Sequence, residues 1–219
     1  MAASIKVKIC GLLDVQSALV AAESGADYTG FVFVEGVRRQ LQPEQGAAIV
    51  KEFRGLASER GTVMPKAVGL FRDQDPGWVN DVASEAGLDM VQLCGDEDEA
   101  YCAQMRLPII KQVRIRPDAS ATEIAGAVDP MTDGGQMVVL DRHDEKVPGG
   151  AGVPWEWSIT RAVAQREGVL LAGGLTPANV GPMARNISPW GVDVSSGVET
   201  DGVKDHAKIR SFIAAVRPA

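Results

Sequence analysis

The sequence predicts a single α/β domain folded as a (β/α)8 TIM barrel, in which eight parallel strands alternate with eight helices. Three observations lead to this prediction. Short apolar runs of strand length alternate with segments of helical periodicity along the whole chain. Two glycine-rich loops follow the last two apolar runs, where such barrels bind phosphate. The length of 219 residues would also permit two domains, but no linker divides it, so we expect one domain over residues 1–219.

Four strands and four helices are expected in the first half of the chain. Gly25 ends the first helix, and Pro43 and Pro76 each occupy the first helical position, which proline favours. The acidic run 96–99 suits the N-terminus of the fourth helix, because the helix dipole favours negative charge there. The expected strands are 5–9, 28–34, 67–71 and 90–93, and the expected helices are 15–22, 43–53, 76–85 and 97–105.

The same alternation continues in the second half. The expected strands are 109–113, 137–140, 169–172 and 192–194, and the first two expected helices are 122–128 and 158–165. Thr176 can cap a further helix that starts at Pro177. Ile209, Phe212, Ile213 and Val216 lie at helical spacing and predict the last helix. A long glycine-rich loop, residues 142–153, follows the sixth strand.

Composition and charge exclude several classes of function. The chain is 45% hydrophobic and 23% charged, as in ordinary globular proteins, and no apolar run is long enough to span a membrane. A net charge of −7 argues against a nucleic-acid partner, which requires a basic surface. The N-terminal residues enter a strand pattern at once and lack the apolar segment of a secretory signal, so we expect a cytoplasmic protein.

The cysteine and histidine content makes a metal site improbable. Cys10, Cys94 and Cys102 contain no CxxC pair, and the chain has only two histidines. An odd number of cysteines in a cytoplasmic protein is most simply explained by reduced thiols. We therefore expect no metal site, and at least one of the thiols could be reactive.

Reactive side chains follow several of the predicted strands. In this fold the active site lies at the carboxyl ends of the strands. Cys10 follows strand one, Arg38 and Arg39 follow strand two, Cys94 follows strand four, and Asp141 follows strand six. Strand six is three places from strand one around a closed ring, so Cys10 and Asp141 should face each other across the opening. A base and an acid on opposite sides of one substrate can move protons.

Two loops near the C-terminus suit an anionic group. Gly173 and Gly174 follow strand seven, and the segment Ser195-Ser196-Gly197 follows strand eight. Glycines let a ligand approach the backbone, and amides with hydroxyls can donate hydrogen bonds to phosphate oxygens. A lone glycine pair is usually a turn. Two such loops about one helix apart predict a phosphate site.

Motifs along essentially the whole chain resemble the phosphoribosylanthranilate isomerase family. They are Lys8-Ile9-Cys10-Gly11, Gly30-Phe31-Val32-Phe33, Val91-Gln92-Leu93, Leu140-Asp141, Gly149-Gly150-Ala151-Gly152 with Trp157, Ala172-Gly173-Gly174-Leu175 and Asp193-Val194-Ser195-Ser196-Gly197-Val198-Glu199. Each motif alone is weak, but their order and spacing are specific.

The resemblance implies an Amadori rearrangement of an aminated ribose phosphate in tryptophan biosynthesis, without a cofactor. The family's general base, the cysteine after strand one, maps to Cys10, and its general acid maps to Asp141. Asp141 would protonate the ring oxygen so that the ring opens to a Schiff base. Cys10 would remove the C2′ proton, and tautomerisation would give the ketone. The implied partner is a small phosphosugar, and the protein would be a monomer or a homodimer.

The resemblance also implies the groups that hold the substrate. The family arginine that binds the anthranilate carboxylate maps to Arg39, although the neighbouring Arg38 leaves open which arginine points inward. Asp193 would contact substrate. The phosphate would be held by Gly152, Gly173, Gly174, Ser195, Ser196 and Gly197. The sequence departs from the family pattern in three places. Val37-Arg38-Arg39 replaces the usual Ser-Pro-Arg or Ser-Lys-Arg, Cys94 stands where histidine is usual, and Ala151 stands where serine or threonine is frequent.

Lys8 is expected to assist Cys10. A free thiol has a pKa of about 8.5, so a cysteine that acts as a base benefits from a nearby cation. Strand alternation places Lys8 and Cys10 on the same face of strand one. Our hypothesis is that the Lys8 ammonium stabilises the thiolate.

Two other functions are compatible with the fold. The related isomerase of histidine biosynthesis shares the chemistry, but it uses aspartate after strand one and needs a second phosphate site, for which the first half shows no glycine-hydroxyl loop. A barrel that binds a sugar phosphate without turnover is the second alternative. Cys10 and Asp141 argue against it, whereas Cys94 keeps it open.

Overall fold

A computed structural model describes residues 4–116, 118–142 and 157–217 and contains a closed barrel of eight parallel strands. Each strand pairs with the next, and β8 pairs with β1. The predicted fold class is therefore confirmed. The strands are β1 (Lys6–Ile9), β2 (Tyr28–Val32), β3 (Lys66–Phe71), β4 (Met90–Leu93), β5 (Ile109–Ile115), β6 (Met137–Arg142), β7 (Val169–Leu171) and β8 (Gly191–Val194).

A helix follows each strand. The helices are α1 (Val15–Glu23), α2 (Pro43–Glu59), α3 (Pro76–Glu85), α4 (Glu99–Cys102), α5 (Ala121–Asp133), α6 (Arg161–Ala164), α7 (Pro177–Ile187) and α8 (His206–Val216). Asp14 and Asp75 cap α1 and α3 by accepting hydrogen bonds from backbone amides of the first turn. In the described part of the chain, no helix combines the length and apolarity required to cross a bilayer.

The apolar core has two layers, and strand alternation decides which layer each residue joins. On β4, Val91 and Leu93 pack in the layer between the strands and the helices. Met90 and Cys94 belong to the second cluster, which fills the barrel interior. Polar residues on the inward face of a strand therefore lie in the barrel interior or at the opening formed by the carboxyl ends of the strands.

Four helices, α2, α4, α5 and α6, differ from their predicted bounds by two or more residues. Helix α2 continues to Glu59, because Ala57 extends the buried stripe of Val50 and Phe53 by one further turn. Helix α5 runs on to Asp133 through Pro130. The predicted helix 158–165 is a 3-10 turn, Trp157–Thr160, followed by the short α6. Strand β2 also ends two residues early, at Val32.

The prediction for the acidic run is wrong at Glu97. Helix α4 starts at Glu99, and Asp98 is its N-cap. Glu97 lies outside the helix, where its carboxylate is buried, forms an ion pair with Lys111 and accepts hydrogen bonds from the Gly95 amide. The ion pair with Lys111 therefore holds the Glu97 side chain, which is not part of the first turn of α4.

A short hairpin between β8 and α8 was not predicted. It consists of β9 (Glu199–Thr200) and β10 (Val203–Lys204), which pair antiparallel. Glu199 and Lys204 lie opposite each other in this pair. The hairpin therefore brings a carboxylate and an ammonium together beside the loop that follows β8.

Candidate active site

One cavity of about 240 Å³ opens at the carboxyl ends of the strands. It brings together most of the residues predicted for the site from six strand ends. The predicted residues in its lining are Cys10, Arg39, Cys94, Asp141, Gly173, Gly174, Asp193, Ser195, Ser196 and Gly197. Gly152 lies outside the described residues, as do the other residues of the segment 143–156.

Cys10 lies at the end of β1, where its backbone is held from the β8 side. Its amide donates to the carbonyl of Val194 at 2.8 Å, and the Ser195 hydroxyl donates to the Cys10 carbonyl at 3.1 Å. The side chain is buried. Burial raises the pKa of the Cys10 thiol, whereas the charge of Lys8 lowers it by a smaller amount. Burial therefore has the larger effect, and the pKa of Cys10 lies above its ordinary value.

Lys8 forms a buried ion pair with Asp193. The two residues are in register on the neighbouring strands β1 and β8, and Lys8 Nζ lies 3.1 Å from Asp193 Oδ1. Burial alone would lower the pKa of Lys8, but attraction to Asp193 and to Cys10 raises it. Lys8 therefore stays charged at neutral pH and acts on Cys10 in the direction expected from the sequence.

Asp141 lies near the end of β6, on the far side of the ring from β1. Gln112 on β5 donates from Nε2 to Asp141 Oδ2 at 2.8 Å. This amide fixes one carboxylate oxygen at the edge of the cavity. Gln112 also lines the cavity, and sequence reasoning overlooked it. Its polarity on the inward face of a buried strand, two residues after Ile110, was the available signal.

The structure distinguishes the two arginines of the loop after β2. Arg39 lines the cavity, and its side chain is 19% exposed. Arg38 is 53% exposed and donates to the carbonyl of Gly202 at 2.7 Å. Of the two, Arg39 is the one whose side chain lines the cavity.

Glu199 holds both arginines from the β9–β10 hairpin. Arg39 donates from Nε to Glu199 Oε1 at 2.7 Å and from Nη2 to Glu199 Oε2 at 2.9 Å. Lys204 donates to Glu199 Oε1 at 2.6 Å. Burial alone would raise the pKa of Glu199, but hydrogen bonds from Arg39, Lys204 and Arg38 lower it to about 2. Glu199 occurs in one of the quoted motifs, yet nothing in the sequence indicated that it contacts Arg39.

The two predicted phosphate loops are shaped by their glycines. Gly173 and Gly174 have φ values of 83° and 71°, a region that side chains other than glycine rarely adopt. A Cβ on Gly197 would collide with the backbone carbonyl of Leu175 in the neighbouring loop. The loops after β7 and β8 are therefore in close contact.

Further hydrogen bonds hold these loops in place. Asn179 on α7 donates to the carbonyl of Gly174 at 2.9 Å. Lys204 donates to the carbonyl of Ser195 at 2.8 Å. Its ammonium adds positive charge beside the second loop. Lys204 is a second residue that sequence reasoning missed, because it becomes part of the site only through the unpredicted hairpin.

Cys94 contacts Gln92, the preceding inward residue of β4. Gln92 Nε2 donates to Cys94 Sγ at 3.5 Å. Burial raises the pKa of the Cys94 thiol to about 12. Cys94 therefore remains a neutral thiol at physiological pH and is unsuited to act as a base.

Sequence comparison relates the chain to one family over nearly its whole length. The family described as "N-(5'phosphoribosyl)anthranilate (PRA) isomerase" matches residues 7–215. A protein of Roseiflexus sp. (strain RS-1), named N-(5'-phosphoribosyl)anthranilate isomerase, is 42% identical over 98% of this chain and 99% of its own length. The protein of that name from Roseiflexus castenholzii is 44% identical, over 97% of this chain and 98% of its own length.

Solved structures give the same relationship. The crystal structure of phosphoribosyl anthranilate isomerase from Thermotoga maritima superposes with a TM-score of 0.83, at 32% identity, covering 98% of this chain and all of that one. A further structure, of the isomerase in complex with reduced 1-(o-carboxyphenylamino)-1-deoxyribulose 5-phosphate, has a TM-score of 0.78 at 32% identity, with the same coverage. A third describes monomers generated from the dimeric Thermotoga maritima enzyme, with a TM-score of 0.79 at 31% identity and the same coverage.

Proposed function

The chain belongs to the N-(5'-phosphoribosyl)anthranilate isomerase family, and we propose that Cys10 and Asp141 are the base and the acid of its reaction. The protein is an isomerase that converts N-(5-phosphoribosyl)anthranilate to 1-(2-carboxyphenylamino)-1-deoxyribulose 5-phosphate in tryptophan biosynthesis. The observation that best supports the proposed roles is that a thiol on β1 and a carboxyl on β6 line the same cavity.

The reaction begins with acid catalysis. Asp141 donates a proton to the ring oxygen of the ribose while the lone pair of the linking nitrogen forms a double bond to C1′. The C1′–O bond breaks, and the product is an open-chain iminium. Gln112 holds the carboxyl group in place through its 2.8 Å hydrogen bond to Oδ2.

Base catalysis follows at the next carbon. The Cys10 thiolate removes the proton from C2′, and the electron pair forms a C1′–C2′ double bond while the iminium nitrogen becomes neutral. The resulting enolamine tautomerises to the ketone. C1′ is reduced and C2′ is oxidised within one molecule, so atoms and electrons balance without a cofactor. Lys8 favours the thiolate through its charge.

The substrate is held at both ends. Its phosphate lies between the loops that contain Gly173, Gly174 and the segment 195–197, where backbone amides and hydroxyls donate hydrogen bonds. Its carboxylate binds the guanidinium of Arg39, which Glu199 orients. Asp193 contacts the substrate from β8 and is itself fixed by Lys8. Gly152, which lies outside the described residues, is also part of the proposed phosphate site.

The wider setting of the enzyme is also part of the proposal. Residues 1–219 form one catalytic domain, and the eight-stranded barrel supports this reading. The protein is a monomer or a homodimer, as the description of the Thermotoga maritima relative suggests. It acts in the cytoplasm, where its free thiols at Cys10, Cys94 and Cys102 remain reduced. Its net charge of −7 supports the absence of a nucleic-acid partner.

A turnover assay tests this function. Purified protein is incubated with phosphoribosylanthranilate, and the loss of anthranilate-type fluorescence is followed over time. We expect turnover of this substrate and none of the two-phosphate substrate of the related histidine-pathway isomerase. Binding of phosphoribosylanthranilate without turnover would contradict the isomerase function and favour the binding-only alternative.

A further inference from the structure

Gln92 places an amide inside the barrel, and one of its two polar atoms has no hydrogen-bond partner among the residues that the structure describes. The residue is 2% exposed and lines the cavity. Its Nε2 donates to Cys94 Sγ at 3.5 Å, whereas Oε1 is buried without a hydrogen-bond partner among the described residues. The in-register neighbours on β3 and β5 are the apolar residues Leu70 and Ile110. Within the described part of the chain, no donor therefore satisfies this oxygen.

A buried carbonyl oxygen without a donor lowers the stability of a folded protein. An apolar side chain of similar size would avoid that cost at this position, because the adjacent inward residues are largely apolar. The roles proposed above leave Gln92 without a function, although it lies in the Val91-Gln92-Leu93 motif. A ligand that enters the cavity can supply the missing donor.

We propose that Gln92 is a further catalytic residue, whose Oε1 accepts a hydrogen bond from the N–H that links anthranilate to C1′ of the substrate. The inference rests on the proposed function, because that nitrogen becomes a positively charged iminium when the ring opens. An acceptor binds a charged donor more strongly than a neutral one. The hydrogen bond therefore strengthens as the reaction proceeds, which lowers the barrier to ring opening. The 2′-hydroxyl is the competing donor at this end of the ribose.

The Gln92→Met variant separates catalysis from stability. Methionine has a similar size and no amide, so it removes the buried unsatisfied oxygen. We expect its melting temperature to equal or exceed that of wild type, while kcat/KM falls about 10- to 100-fold. Gln92→Asn, which withdraws the amide by one methylene, should show a comparable loss of activity. The proposal would be overturned if kcat/KM of Gln92→Met stayed within threefold of wild type. It would also be overturned if Gln92→Met lost activity together with a lower melting temperature, because destabilisation would then explain the loss.

Cys94→Ala is the matched control, since it removes the partner of Gln92 Nε2 and leaves Oε1 in place. If Gln92 acts directly on substrate, this variant loses clearly less activity than Gln92→Met. An equal loss would show that Gln92 acts only through Cys94 and would overturn the proposal. Absence of turnover by wild type would instead contradict the proposed function, so the two failures are distinguishable.

Ligand binding identifies the donor. The probe is reduced 1-(o-carboxyphenylamino)-1-deoxyribulose 5-phosphate, compared with an analogue in which an ether oxygen replaces the linking N–H. Wild type should bind the amine at least about fivefold more tightly than the ether, and Gln92→Met should lose that preference. A preference that survives in Gln92→Met would overturn the assignment to the nitrogen. A 2′-deoxy analogue tests the competing donor. If Gln92→Met lost only the preference for the amine over its 2′-deoxy analogue, the hydrogen bond would belong to the 2′-hydroxyl, and the assignment to the nitrogen would be overturned.

Discussion

Glu199 accepts two hydrogen bonds from Arg39, of 2.7 and 2.9 Å, and this pair lies between the two ends of the proposed substrate site. Arg39 lies in the loop after β2, where the carboxylate end of the substrate is expected. The same carboxylate accepts a hydrogen bond from Lys204, which also donates to the carbonyl of Ser195 in the phosphate loop. One buried carboxylate therefore orients the groups proposed for both anionic ends of the substrate.

Replacing each arginine separately tests which one binds the substrate carboxylate. We expect Arg39→Met to raise KM about 100-fold, because the substrate loses a charge-assisted hydrogen bond in a partly buried site. Arg38→Met is the matched control: it also pairs with Glu199 but is half exposed, so KM should change less than threefold. Steady-state kinetics with phosphoribosylanthranilate measure both values. Equal effects of the two substitutions would contradict the assignment.

Glu199 should also make stability depend on pH. Its pKa in the folded protein is about 2, below the value of about 4.3 for an unperturbed glutamate, so it stabilises the fold when both states are ionised. This contribution is present above pH 4.3 and is lost as the pH falls from there to about 2. The Glu199→Gln variant lacks it. Urea unfolding should show wild type more stable than Glu199→Gln at pH 6, with a difference that shrinks towards pH 2. A difference that stays constant with pH would contradict this origin.

The charges around Cys10 predict opposite shifts of the pH profile in two variants. Lys8 and Lys204 lower the pKa of the Cys10 thiol, and Asp193 raises it. Because the thiolate is the form proposed to act as the base, kcat/KM should increase with pH on the alkaline side. Lys8→Met should move that rise to higher pH, and Asp193→Asn should move it to lower pH. Shifts in the same direction, or an unchanged profile in Lys8→Met, would show that these charges do not govern the base.

The sequence predicted the barrel and about half of the residues that line the cavity for one physical reason. In a closed parallel sheet all strand ends converge on one opening, so the residues that follow each apolar run become neighbours. Cys10 and Asp141 could therefore be placed in one site from strand order alone. The strand order stays the same even if the predicted end of a strand is wrong by a few residues.

The contacts that refine the site could not be predicted, because they depend on long-range packing. Glu199 meets Arg39 across 160 positions of sequence, through a hairpin with two-residue strands that gives almost no periodic signal. Arg38 also contacts Glu199, so the two arginines are distinguished by the cavity, which Arg39 lines. Similarly, Glu97 lies outside its expected helix and forms a buried ion pair with Lys111 of β5.

The contact between the two phosphate loops can be disrupted at Gly197. An added Cβ would collide with the Leu175 carbonyl, so Gly197→Ala should displace the loop and raise KM at least tenfold. Gly55→Ala is the matched control, since Gly55 lies within α2 and a Cβ there meets no atom within 4 Å. Gly55→Ala should leave the kinetics unchanged and stabilise the fold by about 0.5–1 kcal/mol. An unchanged KM in Gly197→Ala would mean that this loop does not bind the phosphate.

The central claim is that Cys10 and Asp141 transfer the protons, and single-turnover kinetics of Cys10→Ser and Asp141→Asn test it most directly. The rate of phosphoribosylanthranilate isomerisation should fall about 10²- to 10⁴-fold in each variant. The dissociation constant for reduced 1-(o-carboxyphenylamino)-1-deoxyribulose 5-phosphate should stay within about threefold of wild type, because neither substitution alters the groups that hold its ends. A variant that binds this analogue normally and retains more than a tenth of the wild-type rate would contradict the claim.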